Sequence, residues 1–261
     1  MLFRSMEKYD YLNVARELKN FYWEEYCDWY LEITKIRLYD ENIKDKITPK
    51  VVLLYILENY LRLLHPIMPH LTEALWQNLP ESVREGPALI VAQWPTAEHN
   101  FIDEDKESNV AKIIDIIRSI RRVRSDFNVP AASKIPIMIE CGDQQLMVDR
   151  LKKELITLAN LSADGLKLAK SIDAPKHAAR IVLHGLTTYI PLEGVIDMKT
   201  ELARMEKQLS SVGDQITKVQ KKLDSPFSSN AAPEVVEAER EKLKEYELRK
   251  SQIQEQIAIL K

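Results

Sequence analysis

Two runs of heptad-spaced apolar residues near the end of the chain predict a helical hairpin. In the first run the steps alternate between four and three residues, as in a coiled-coil seam, at Met198, Leu202, Met205, Leu209, Val212, Ile216, Val219 and Leu223. After a breaker-rich segment at 224–230, a second run begins at Pro233 and has its seam at Val236, Leu243, Tyr246, Ile253, Ile257 and Leu260, with Glu239 and Lys250 in two polar slots. We expect the two helices to pair within the chain, and pairing between two copies is the alternative.

Helical periodicity also dominates the first half of the chain. It predicts helices over about 9–39, 49–65, 71–79 and 105–127, the last with Ile113, Ile117, Ile120, Val123 and Phe127 facing inward. Thr48 and Pro49 have the order of an N-cap followed by a first-turn proline. Pro66 and Pro69 should end or kink the second helix, and Pro130 should stop the fourth.

The pattern changes after residue 130. Strand-like runs at 135–140, 180–184 and 187–192 accompany an amphipathic helix at 145–158, and Gly185 joins the last two strands. The sequence therefore predicts a mainly α protein in three parts: a helical bundle at 1–130, a small α/β subdomain or linker at 131–194, and an antiparallel two-helix coiled-coil arm at 195–261, hereafter the arm.

Composition limits the class of protein. Of the 261 residues 45% are hydrophobic and only six are glycine, which fits a helical protein with a sizeable core. No run of about 18 apolar residues is present, so we expect no membrane span. The first residues lack a signal-peptide apolar region, and Cys27 and Cys141 lack metal-site spacing, which predicts reduced thiols in a cytoplasmic protein.

The charge distribution is compatible with a nucleic-acid-binding surface. The net charge of −3 is unfavourable for a phosphate-binding protein. Between residues 112 and 134, however, six basic residues face only two acids, which predicts a basic stripe on the fourth helix.

Four runs of residues carry a family resemblance. Residues 21–32, FYWEEYCDWYLE, resemble the F-x-W-x-x-[FY]-C-D-W-Y-[LI]-E run of valyl-tRNA synthetases, and residues 61–76, LRLLHPIMPHLTEALW, resemble a run in their anticodon-binding domain. Residues 120–130 and 191–197 resemble the end of that domain and the entrance to its C-terminal coiled coil. Ala74 stands where glutamate is usual, a change compatible with a surface position. The second run alone is shared with isoleucyl and leucyl enzymes, whereas the first run together with the hairpin selects the valyl branch.

The resemblance implies a function in tRNA recognition. It implies that the helical bundle binds the anticodon loop of tRNA(Val) and that the arm holds the tRNA elbow. The H-x-G-H and K-M-S-K-S motifs of the catalytic domain are absent from the sequence. We therefore expect no catalytic residue, metal site or cofactor in this chain. ATP and magnesium would bind in the missing catalytic domain, and the partners would be tRNA(Val) and the absent catalytic and editing domains of the same polypeptide. The chain itself would be a monomer.

The candidate tRNA-binding residues are basic side chains on two predicted surfaces. On the anticodon side they are Arg118, Arg121, Arg122, Arg124, Lys35 and Arg37. On the arm they are Arg204, Lys207, Lys218, Lys221 and Lys222. The alternative for each is an ordinary solvated helix face, and the arm as a whole holds twelve bases and twelve acids between residues 197 and 261.

Other residues that could take part in binding or catalysis are expected to have structural roles. Trp23, Trp29 and Trp76 could stack on bases, but aromatic residues at helical spacing usually belong to a core. Cys27 is expected to be a buried thiol. His65 and His70 flank two prolines and are expected at a kinked junction, since further metal ligands are not evident nearby.

Two rival functions stay open from the sequence. The hairpin could instead dock on another protein or on a second copy of the chain. The chain could also be the end of an isoleucyl- or leucyl-type enzyme, although those often carry cysteine-rich zinc endings and this one ends in a hairpin without cysteine.

Overall fold

The computed structural model describes residues 2–97, 99–227 and 231–261. These residues are mainly helical and include one four-stranded sheet, which confirms the predicted fold class. The chain divides into two compact units, residues 1–105 (unit 1) and residues 106–261 (unit 2). The boundaries predicted at residues 130 and 194 stay predictions.

Unit 1 is built from helices. They are α1 (Leu2–Glu7), α2 (Tyr11–Asn20), α3 (Glu32–Tyr39), α4 (Ile47–Leu64) and α5 (Pro69–Gln77), with short 3-10 turns at Leu89–Val91 and His99–Phe101. A π-helix at Phe21–Leu31 joins α2 to α3, so the predicted helix over 9–39 is continuous from Tyr11 onward. The π-helical segment itself was not predicted.

The π-helix aligns a column of tyrosines. Its wider turn brings residues four apart onto one side, and the rings of Tyr22 and Tyr26 stack at 5.8 Å, followed by Tyr26 and Tyr30 at 6.5 Å. Tyr60 of α4 stacks on Tyr22 at 4.9 Å between ring centroids. Burial and the neighbouring Tyr22 raise the pKa of Tyr26 to about 12. The motif that carries the family resemblance is thus a packed aromatic column.

Two helix ends differ from the predictions or refine them. The expected Thr48 cap is wrong, because α4 begins at Ile47, two residues before the predicted Pro49. The carboxylate of Asp45 accepts hydrogen bonds from the backbone N–H groups of Ile47 and Thr48. At the kink between α4 and α5, the ring Nδ1 of His65 lies 2.8 Å from Thr72 Oγ1. The prediction of a structural junction there is confirmed.

Two apolar clusters of described residues lie in the core of unit 1. The first holds Val14, Leu18 and Tyr60, and the second holds Leu61, Trp76 and Leu89. The core prediction is confirmed for Trp76 (fully buried) and for Trp29. It is wrong for Trp23, which is 56% exposed because it lies on the outer side of the π-helix. Cys27 is half-buried, not buried as expected, and its thiol is free.

Unit 2 combines one long helix, a small sheet and the arm. Its elements are α6 (Glu104–Asp126), β1 (Ile135–Glu140), α7 (Gln145–Arg150), α8 (Lys152–Leu158), β2 (Leu161–Ala169), β3 (Ala178–Leu183) and β4 (Leu186–Pro191), followed by α9 (Met198–Leu223) and α10 (Pro233–Leu260). The predicted helix over 145–158 is broken at Leu151. Asn128, with a φ of 48°, ends α6 in the left-handed conformation that asparagine tolerates at a helix end.

The sheet has the order β2-β1-β4-β3. β1 and β2 are parallel and are connected through α7 and α8, whereas β4 is antiparallel to both β1 and β3. His184 and Gly185 both have positive φ, as a tight β3–β4 hairpin requires. β2 was not predicted. Its Gly165 passes so close to β1 that a Cβ atom would lie 2.9 Å from Pro136 Cα.

The arm is an intrachain hairpin of α9 and α10, as predicted. Asp197 caps α9 by accepting hydrogen bonds from the backbone N–H groups of Lys199 and Thr200. All eight seam positions of α9 are buried or half-buried. In α10 the polar slot at Lys250 is exposed, but the slot at Glu239 is buried.

Candidate RNA interface

Helix α6 presents three of the four predicted arginines at its surface. Arg122 has the most accessible side chain, 72% exposed, with Asp126 Oδ2 3.9 Å from its Nε. Arg118 is 56% exposed and lies 3.4 Å from Asp115. Arg121 is exposed and donates through Nε and Nη2 to the carbonyl oxygen of Leu158. These three arginines form a positively charged, solvent-exposed patch on α6.

Arg124 is placed differently. It is 8% exposed, and its guanidinium donates to four carbonyl oxygens, those of Ser133 (2.9 Å), Pro130 (3.0 Å), Ala131 (3.2 Å) and Asn160 (3.4 Å). Burial lowers its pKa. The guanidinium therefore ties the end of α6 to the loop before β1 and to the start of β2, and it offers little to a ligand.

A histidine from the sheet shares the acid beside Arg118. His184 Nε2 lies 2.8 Å from Asp115 Oδ2, while Arg118 contacts the other carboxylate oxygen of Asp115. The backbone carbonyl of His184 accepts a hydrogen bond from Gln144 Nε2 at 2.9 Å. Asp115 thus fixes the β3–β4 turn against the helix that carries the arginines.

The remaining anticodon-side candidates lie in unit 1. Lys35 donates to Glu32 at 2.5 Å and is 42% exposed, and this hydrogen bond raises the pKa of Lys35. Arg37 is exposed, and its carbonyl oxygen accepts a hydrogen bond from Lys46 Nζ at 2.8 Å. Whether these two residues extend the α6 surface stays a prediction, because α6 belongs to the other unit.

Two of the arm candidates are held by acids of the arm itself. Arg204 pairs with Glu201 and donates to the carbonyl oxygen of Asp126 at 2.9 Å, and the bond to Glu201 raises its pKa. Lys222 Nζ lies 3.0 Å from the buried Glu239 and 4.4 Å from the centroid of the Phe227 ring. Arg204 therefore ties the start of α9 to the end of α6, whereas Lys222 joins α9 to α10 near the tip of the hairpin.

The other three arm candidates, Lys207, Lys218 and Lys221, are exposed on α9. Asp214 lies between them along the same helix, so the surface is only moderately positive. α9 has 26 residues, which corresponds to a length of about 39 Å at 1.5 Å per residue. The exposed lysines are therefore distributed along an extended rod.

Sequence reasoning missed one basic residue near α6. Arg180 of β3 is exposed and lines the same groove as Arg122, and this groove has a volume of about 380 Å³. The groove also holds Asp126 and Glu255, so its charge is balanced. No pattern in the sequence links β3 to α6, and only the fold brings these two arginines together.

The described part of the chain offers no metal centre. Within residues 2–97, 99–227 and 231–261, no group of three or more His, Cys, Asp or Glu side chains could hold a metal ion. No described helix combines the length and the hydropathy needed to cross a bilayer.

Two protein families match the chain. The anticodon-binding domain of tRNA ligases matches residues 2–139, and the tRNA binding arm of valyl-tRNA synthetases matches residues 197–261. The second match begins at the residue that caps α9, Asp197, and so covers the whole hairpin.

Curated valine–tRNA ligases are similar over nearly the whole chain. The enzyme of Listeria monocytogenes is 37% identical over 258 residues, that of Enterococcus faecalis 36% over 263 residues, and that of Bacillus subtilis 34% over 257 residues. In each case the alignment covers 98% of this chain but only 29% of the relative. The chain belongs to the anticodon-binding domain family of tRNA ligases, and together with its arm it matches the C-terminal portion of valine–tRNA ligases.

Proposed function

We propose that this chain is the tRNA-holding, non-catalytic C-terminal part of a valine–tRNA ligase. The observation that carries the proposal is the pair of family matches, which cover a helical domain and the hairpin arm of one chain. The helical domain would recognise the anticodon loop of tRNA(Val), whose bases must unstack to be recognised. The arm would contact the elbow of the same tRNA.

The exposed arginines of α6 support an RNA contact. Arginine guanidinium groups bind phosphate bidentately and stack on splayed bases. Arg118, Arg121 and Arg122 are accessible for such contacts, whereas Arg124 is occupied by carbonyl oxygens. The proposal therefore relies on the first three residues and leaves Arg124 a structural role.

The arm would add a second, weaker contact. Lys207, Lys218 and Lys221 are exposed, and each could neutralise a phosphate. Two weak contacts on one ligand combine through effective concentration, so the arm would raise the affinity for whole tRNA without being a strong binder by itself. Arg204 would support this surface by tying α9 to the end of α6, and Lys222 by joining the two helices of the hairpin.

The whole enzyme would supply the chemistry. Valine activation with ATP and magnesium would occur in the catalytic domain, with editing in a further domain, and this chain would position the tRNA for both. We further propose that the chain acts in the cytoplasm. We also propose that it is a monomer, since the apolar seams of the two arm helices pack against each other within one chain.

The proposal is tested by measuring tRNA binding to the purified chain. We expect tRNA(Val) to bind more tightly than tRNA(Ile), and the affinity to fall as salt rises. Replacing both Arg118 and Arg122 by alanine should weaken binding and reduce the salt slope by about one for each phosphate that is no longer neutralised. Arg150→Ala, which removes an exposed arginine from α7 of the same unit, is the matched control.

Two results would contradict the proposal. Equal affinity for tRNA(Val) and tRNA(Ile) would exclude recognition of the anticodon. A salt-independent dimer that does not shift any tRNA would favour the rival function as a protein-interaction module.

A further inference from the structure

A cleft in unit 1 has the volume and the lining residues of a ligand-binding site. It lies between α4 and the segment 80–96 and has a volume of about 500 Å³, within the range of small-molecule pockets. Two aromatic side chains line it, Tyr55 and Trp94, which are 43% and 38% exposed. Aromatic faces in an open cleft can stack on a flat ligand.

The cleft is also lined by a carboxylate with one oxygen that can accept a hydrogen bond. Glu58 is 3% exposed. Its Oε1 atom accepts hydrogen bonds from Arg62 Nε at 2.6 Å and from Trp76 Nε1 at 3.3 Å, while Oε2 accepts none from any described residue. Two donors therefore fix the carboxylate and leave one oxygen available. Among the described residues, Glu58 Oε2 is not one of the buried atoms left without a hydrogen-bond partner. It is therefore accessible to solvent and can accept a hydrogen bond from water or from a ligand in the cleft.

A second acceptor lies one residue further along α4. The side chain of Asn59 donates through Nδ2 to the carbonyl oxygen of Tyr55 at 2.8 Å. This bond orients the amide and leaves its Oδ1 atom able to accept. The lining thus offers acceptors beside aromatic rings.

The charges of the cleft argue against phosphate. Arg62 is the one basic residue among the described residues that line it, and its guanidinium is engaged by Glu58, by Glu85 at 3.1 Å and by the carbonyl oxygen of Gln93 at 3.0 Å. No spare positive charge is left there, and an anion would face the carboxylate of Glu58. The favoured ligand is neutral and flat, and it donates hydrogen bonds.

We propose that this cleft takes one unstacked nucleobase that bears an exocyclic amino group, namely cytosine, adenine or guanine. The ring would pack against Tyr55 and Trp94, and the amino group would donate to Glu58 Oε2, a pairing that glutamate makes with the cytosine amine. Uracil flanks its single N–H with two carbonyl oxygens and would be disfavoured. This inference rests on the proposed function, because it assigns the base to the tRNA.

The experiment measures binding of an RNA hairpin with the tRNA(Val) anticodon loop to the full chain, by fluorescence anisotropy. Trp94→Ala should weaken binding about 5- to 100-fold, the range for loss of one base–aromatic stack. Trp94→Phe keeps a stacking ring and should restore most of the affinity. Tyr11→Ala is the control, because Tyr11 is an aromatic residue of the same unit that is 58% exposed and does not line the cleft.

A base scan then identifies the occupant. Each loop base in turn is replaced by uracil, or by a different pyrimidine without an amino group where uracil is native. At one position the replacement should weaken binding to the unaltered chain but cost little more in Trp94→Ala, since both changes remove the same interaction. Asn59→Ala should reduce the discrimination at that position.

The outcomes separate the two proposals. If Trp94→Ala binds the hairpin as tightly as the unaltered chain and Tyr11→Ala do, the cleft inference is overturned while the proposed function stands. If the unaltered chain binds neither the hairpin nor tRNA(Val), the proposed function fails and the inference fails with it. A Trp94-dependent affinity for proline-rich peptides in place of RNA would also overturn the inference.

Discussion

Replacing Arg124 by methionine should strongly destabilise unit 2 because the arginine guanidinium bridges four backbone carbonyls. A hydrogen bond to a charged group contributes about 1.5–3 kcal/mol. The bonds to Ser133 and Pro130, at 2.9 and 3.0 Å, are the two shortest. The four bonds share one cation and do not add, so we expect a loss of about 3–5 kcal/mol. Compared with a typical total of about 5–15 kcal/mol, that loss is large.

The assay is urea unfolding followed by far-UV circular dichroism, with amide exchange to locate the change. Exchange should accelerate in the loop at 127–134 and in the first residues of β1 and β2, which the guanidinium connects. Arg122→Met is the control, because the Arg122 side chain is 72% exposed and its acidic neighbour is 3.9 Å away. Surface changes of this kind usually stay within about 0.5 kcal/mol.

The two variants should also differ in their effects on binding. Arg122→Met is expected to weaken tRNA binding without loss of stability, and Arg124→Lys should be destabilised although it keeps the charge. The structural assignment is refuted if the free energy of unfolding of Arg124→Met is within about 1 kcal/mol of that of the unaltered chain while its tRNA affinity falls. A change of about 1 kcal/mol would be well below the expected loss of about 3–5 kcal/mol.

Three further predictions concern glycine, tyrosine and glutamate positions. Gly165→Ala should destabilise the β1–β2 pair, since the added Cβ would lie 2.0 Å from a serine Oγ atom, whereas Gly213→Ala, with open space around it, should stabilise α9 by about 1 kcal/mol; thermal melts of both variants check the sign. The pKa of Tyr26 is raised to about 12, so its stabilising contribution is complete below about pH 10 and is lost between about pH 10 and 12. Burial also raises the pKa values of Tyr22, Tyr30 and Tyr60, so absorbance titration should show several late-ionising tyrosines, and one fewer in Tyr26→Phe. Glu239 has its pKa lowered by hydrogen bonds from Lys222 and Lys242, so the arm tip should loosen only as pH falls below the ordinary glutamate range; spin labels across the tip should show no change if this contact is unimportant.

The arm was predictable because its pattern is local. Heptad spacing defines both helices and their seams, and the short break forces them to pair within one chain. The polar slot at Glu239 was less predictable, since its burial depends on Lys222 approaching from the other helix. The spacing of apolar residues along either helix does not indicate an ion pair between the two helices.

The arginine cluster of α6 was only partly predictable. Arg124 follows Ile120 by four residues and Ile117 by seven, so it lies on the apolar stripe of the helix, and that spacing could have signalled its burial. The prediction instead placed Arg124 in the RNA-binding surface because of the neighbouring basic residues. The carbonyl oxygens that Arg124 serves come from a loop and from the residue before β2, which helix periodicity cannot reveal.

β2 was missed for a related reason. Leu161–Ala169 contains Gly165 and several polar residues and shows no regular alternation. It is an edge strand paired on one side only, so fewer of its side chains are buried. The π-helix was likewise hidden, because its aromatic residues at four-residue spacing also fit an ordinary α-helix.

The central claim is that one tRNA contacts both the arginines of α6 and the lysines of the arm. Its most direct test compares whole tRNA(Val) with the isolated anticodon stem-loop, using the Arg118→Ala/Arg122→Ala and Lys218→Ala/Lys221→Ala variants. We expect the arginine variant to weaken binding of both RNAs and the lysine variant to weaken binding of whole tRNA alone. Unchanged affinity of both variants for whole tRNA(Val) would contradict it.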